Sequence, residues 1–64
     1  MKLIKLVKLS GAACYINVEK IIIIEPEGDN HSAMIVEGIQ KYPIFCLESP
    51  EEVIERIKNV IQST

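Results

Sequence analysis

Up to residue 48 the apolar residues come in short bursts, broken by lysines, glycines and prolines; beyond it they fall at helical spacing. Residues 2–9 read Lys-Leu-Ile-Lys-Leu-Val-Lys-Leu, in which the lysines recur at every third place and neither a strand nor a helix period is clean. The next residues favour a strand. Ser10-Gly11-Ala12 is a turn signal and Ala13-Cys14-Tyr15-Ile16 is a second apolar run, so a β-hairpin is expected from strands over about 2–9 and 13–17. A short helix ending at Ser10-Gly11 is the alternative for the first segment. Asn17-Val18-Glu19-Lys20 is a polar break suited to a tight bend or one helical turn, since an Asn side chain can bond to backbone two residues on.

Ile21-Ile22-Ile23-Ile24 is poor helix material and strong strand material, which places a strand over about 20–25. Being apolar on both faces, it predicts cover on both sides, with the C-terminal helix on one and another subunit on the other. Pro26 to His31 is the clearest loop. Strands over about 32–37 and 39–47 follow, turned at Glu37-Gly38. Pro43 in the last of these cannot donate to a ladder and marks an edge or a bulge.

The final element has a complete start signal. Ser49 is the N-cap, Pro50 sits at the first helical position, and Glu52 can close a capping box. Val53, Ile54, Ile57, Val60 and Ile61 then form one apolar stripe, predicting an amphipathic helix over 50–62 that must dock on the sheet. Strands followed by one helix predict an α+β domain spanning 1–64. It would be a small, mainly antiparallel β-sheet or partly rolled barrel of four to five short strands, closed by one C-terminal amphipathic helix.

Composition sharpens this picture. At 64 residues and 48% hydrophobic, rich in Ile, Val and Leu and without Trp, the chain has more apolar surface than so small a domain readily hides. A homo-oligomer that buries sheet faces or strand edges is therefore expected. The net charge of −2 departs from the basic face of a dedicated nucleic-acid binder. Lys2, Lys5 and Lys8 interrupt the apolar start, which shows neither an apolar leader core nor a cleavage site, and no run is long enough to span a bilayer. The reading is a cytoplasmic, reduced protein with no membrane insertion, whose Cys14 and Cys46 act as small buried hydrophobes; a disulfide needs the strands to bring them together.

Motifs for chemistry are missing. The sequence holds no phosphate-binding glycine loop, no HExxH, no CxxC and no GxSxG. His31, Asp29 and two distant cysteines are a weak zinc set, so His31 reads as an exposed loop histidine and no metal or cofactor is expected. A cysteine–histidine nucleophile pair would need an electropositive pocket that nothing here supplies. Glu25 and Glu27 flank a proline at a loop, while Glu51 and Glu52 cap a helix. The chain is read as no enzyme.

The order of a first strand, Gly11, Ile16-Asn17, Ile21 to Pro26, Gly38 and Glu48-Ser49-Pro50-Glu51-Glu52-Val53 resembles the FlbD family, small bacterial proteins associated with flagellar gene clusters and swarming motility. Family members carry a Thr in the first strand, where this chain has Lys5 or Val7, and a Pro-Asp-Thr loop that Glu27–His31 does not reproduce. The resemblance implies a small non-catalytic accessory protein and brings no catalytic residues with it. Val18 to Glu25 is also similar to a strand of LytTR-type DNA-binding domains, and strands ending in a helix after Glu-Glu are similar to CsrA-type RNA-binding dimers.

Two functions follow from these readings. The first is an accessory or protein-interaction module, homo-oligomeric and engaging a protein partner through strand edges or the apolar sheet face, with Ile22, Ile24, Met34 and Val36 as contact residues. The alternative is a nucleic-acid-binding regulator using Lys2, Lys5, Lys8, Lys41 and His31, although the lysines read more readily as charge protecting a strand edge.

Overall fold

The computed structural model describes residues 2–38 and 43–62. The chain runs β1 (Leu3–Val7), β2 (Ala13–Asn17), a 3₁₀ turn (Val18–Lys20), β3 (Ile21–Glu27), β4 (His31–Val36), β5 (Ile44–Cys46) and α1 (Pro50–Gln62). This is the expected α+β order. Among the described residues the strands form two small antiparallel sheets, β1-β2 and β3-β4-β5, and no closed barrel.

The local signals act as their chemistry dictates. Gly11 takes a φ of 95° in the first hairpin, a left-handed conformation that disfavours side chains. Asn17 caps the 3₁₀ turn by accepting from the Glu19 N–H at 3.0 Å. The capping box of α1 closes in both directions. Glu52 N–H donates to Ser49 Oγ at 3.2 Å, and Ser49 N–H donates to Glu52 Oε1 at 3.1 Å.

Several boundaries differ from expectation. β3 runs on through Pro26 to Glu27, and the hairpin closes early by pairing Glu27 with His31. Pro26 is tolerated because β3 is the outer strand of its sheet. Pro43 lies just before β5 rather than within a strand, and residues 39–42, expected to begin that strand, lie outside the described residues.

The two sheets meet through one bridge, Lys8 to Cys46, flanked by Leu9 N–H to the Phe45 carbonyl at 3.1 Å and Leu47 N–H to the Val7 carbonyl at 2.8 Å. The strands therefore run side by side in the order β2, β1, β5, β4, β3. Their inner faces meet in one core of Ile4, Leu6, Ile16, Met34, Val36, Ile44 and Cys46. Val53 of α1 is fully buried in that core, and Ile57 and Val60 pack against it. Ile54 and Ile61, expected in the same stripe, stay about half exposed, so the helix buries a narrower face than its pattern offers.

Candidate functional site

Two features could carry function: a polar cluster where α1 meets β1, and the outer face of the sheets. The cluster centres on Glu48, whose side chain is buried although charged. In a regular ladder the Val7 N–H would donate to the Leu47 carbonyl. That carbonyl instead accepts from His31 Nδ1 at 2.9 Å, and the Val7 N–H donates to both Glu48 carboxylate oxygens at 3.1 Å. Arg56 Nη1 then bridges Glu48 Oε2 at 2.9 Å and the Lys5 carbonyl at 2.6 Å. Ser32 Oγ holds the Glu48 carbonyl at 2.7 Å. A buried carboxylate is costly unless paired and hydrogen-bonded, and here it is both.

Beside this cluster runs a wide-mouthed groove of about 560 Å³ between β1 and α1. Glu48 and Arg56 tie the start of α1 to β1, and Ser32 and His31 tie the segment before α1 to β4, which makes the cluster a structural latch. Burial, and then the Glu48 charge, push the Cys46 thiol from its usual 9.0 to about 11, away from the thiolate a nucleophile needs. Cys14 and Cys46 are both free. Among the described residues, no three His, Cys, Asp or Glu side chains gather as a metal site.

The outer face is different in kind. Antiparallel pairing puts directly opposed residues on the same face. Ile23 opposes Ile35, Glu25 opposes Ala33, Ala33 opposes Phe45, and Glu27 opposes His31, all on the outward side of the alternation, where the small Ala33 is itself buried between its neighbours. Across the bridge, Leu9 and Val7 continue the rows of Phe45 and Leu47. The middle of the face is thus aliphatic and aromatic, and it remains open: Ile23 is 42% exposed, Phe45 39%, Leu47 42% and Leu9 49%. Antiparallel sheets with one solvated face normally make that face polar.

Of the residues expected to make contacts, Met34 and Val36 belong to the core and are closed to a partner within the folded chain. Ile24 is half-buried on the inner side, while Ile22 is 60% exposed. The cause is a bulge between Ile21 and Ile23, which changes the alternation so that Ile21 and Ile24 face in and Ile23 faces out. The outward set Leu9, Ile23, Ile35, Phe45 and Leu47 was not singled out from the sequence. Its only signal there is that Ile44-Phe45-Cys46-Leu47, like the Ile run, is apolar at both parities.

The lysines do not form a patch on one face. Lys5 lies on the outer face opposite Tyr15, and Lys2 and Lys8 fall on the other side of the alternation. Lys41 lies outside the described residues. His31 is the first residue of β4, half-buried, and not an exposed loop residue, because its ring reaches the Leu47 carbonyl. Among the described residues, no helix is long and apolar enough to cross a membrane. Compared with protein-family models, curated proteins and solved structures, the chain matches none.

Proposed function

We propose that this chain is a non-catalytic, cytoplasmic protein-interaction module of the FlbD kind, which docks through the outer face of its sheets. The observation that carries this reading is the run of open apolar residues Ile23, Ile35, Phe45, Leu47 and Leu9 on adjoining strands. Contiguous exposed apolar surface of this sort marks interaction sites. The Ile21–Ile24 strand, apolar on both sides, has cover on one side only among the described residues, which leaves the other side for a partner.

Chemical cross-linking in the source cells, with and without nuclease, tests the reading against an Ile23→Thr/Leu47→Thr variant. Both positions are surface-facing, and threonine keeps β-branching at Ile23. Adducts of the wild type that survive nuclease and vanish in the variant are expected. Adducts indifferent to the variant would remove the outer face as the docking site. Adducts lost only on nuclease treatment would favour the nucleic-acid reading instead.

A further inference from the structure

The opposite charges on the outer face lie on separate strands. One row crosses the sheet from Val7 through Leu47 and His31 to Glu27, joined by the Leu47 N–H to Val7 carbonyl bond, the His31 ring on the Leu47 carbonyl, and the Glu27–His31 pairing. Lys5 is the next outward residue beyond Val7 on β1. At the far end, Glu27 is joined by Glu25 on the same face and by Asp29 in the adjoining turn. Three strand spacings of about 4.8 Å each separate β1 from β3 in this order. Among the described residues, neither the Lys5 ammonium nor the Glu25 and Glu27 carboxylates make an ion pair. From β1 to β3 the face is therefore polarised: a lysine on β1, an apolar middle, and acidic residues on β3, with Tyr15 of β2 lying beyond Lys5.

We propose that the partner of this face is a second copy of the chain, packed face to face about a two-fold axis parallel to the strands. This inference rests on the docking reading and names its occupant. Such an axis keeps height along the strands and reverses their order. Placed between β5 and β4, it sets β1 of one copy over β3 of the other, with Lys5 above the Glu27 corner in both symmetric places. Lys5 and Glu27 differ by one row along the strands, roughly 7 Å for two residues, which a lysine side chain can span. The other two-fold lying in the contact plane, perpendicular to the strands, would bring β3 over β3 and set the two acidic ends against each other. Like charges so opposed disfavour that arrangement. A two-fold interface demands a self-complementary patch, and a face with opposite charges on β1 and β3 meets that demand.

Sedimentation equilibrium on the full chain tests the proposal through charge reversal. The wild type is expected to dimerise, and Lys5→Glu or Glu27→Lys alone to weaken dimerisation about tenfold. An equimolar mixture of the two variants, or the double variant, should regain it, because each contact then pairs opposite charges again. Recovery in the mixture also shows that both variants are folded. A wild-type chain that stays monomeric to millimolar concentration overturns the proposal, as does a dimer indifferent to both reversals. A monomer whose cellular adducts still vanish in Ile23→Thr/Leu47→Thr ends the self-association proposal and leaves docking standing. A dimer that survives Ile23→Thr/Leu47→Thr overturns the self-association proposal, and adducts that also persist in that variant overturn docking with it.

Discussion

The two faces of the joined sheets have almost the same chemistry and opposite fates. The inner face carries Ile4, Leu6, Ile16, Met34 and Ile44 under α1, all buried, whereas the outer face carries Ile23, Ile35, Phe45 and Leu47, all open. Hydrophobicity alone does not separate them. What separates them is the one helix, which leaves the chain after β5, is latched by Glu48 and Arg56, and covers a single side. A fold this small has one helix to place and two apolar faces to cover, so the second face stays available for association.

If the inner face holds the fold and the outer face holds a partner, substitutions on the two should affect different quantities. The largest loss of stability is expected inside. Met34→Ala removes a fully buried side chain and should cost about 2–5 kcal/mol, read by urea unfolding at fixed protein concentration. Glu48→Ala comes next at about 2 kcal/mol, since it orphans the Val7 N–H and releases Arg56, a partly exposed residue that water can solvate. Its unfolding curve should show the loss without any change in cellular adducts. Ser49→Ala breaks the capping box and should cost about 1 kcal/mol, seen as a lower thermal midpoint.

Smallest in stability, under about 1 kcal/mol, is the outer-face variant Ile23→Thr/Leu47→Thr measured on the monomer, although it should have the greatest effect on association. The cysteines give a chemical version of the same contrast. Half-buried Cys14 should alkylate in the native state well before buried Cys46, as counted by mass spectrometry at neutral pH. Because the Cys46 pKa is raised from 9.0 to about 11, the folded state favours the protonated thiol. Its contribution to stability is complete below about pH 9 and is lost as pH rises through 11, so alkaline titration should destabilise the wild type more than Cys46→Ser.

Signals confined to a few neighbouring residues were legible in the sequence. The Gly11 hairpin, the Asn17 cap, the Ile strand and the Ser49–Glu52 helix start each depend on chemistry within a few residues, and each is found in the structure. The outer face was not legible, for two reasons. The bulge at Ile21/Ile23 shifts the alternation by one place, so Ile22 and Ile24 could not be assigned to one face by counting. Two runs apolar at both parities, Ile21–Ile24 and Ile44–Leu47, also conceal which parity the helix will cover, because that depends on where the chain turns after Cys46. The Glu48 latch escaped for a related reason. Its partners, Val7 and Ser32, lie 41 and 16 residues away in sequence, and only the junction of the two sheets brings them together.

The most direct test of the division between the faces is the cellular cross-linking comparison run with a destabilised control. Wild type, Ile23→Thr/Leu47→Thr and Ser49→Ala would be cross-linked side by side at matched expression. The expected result is loss of adducts in the outer-face variant and their retention in Ser49→Ala, despite its lower stability. Adducts that persist in the outer-face variant, or that fall equally in both, would contradict the assignment of association to the outer face.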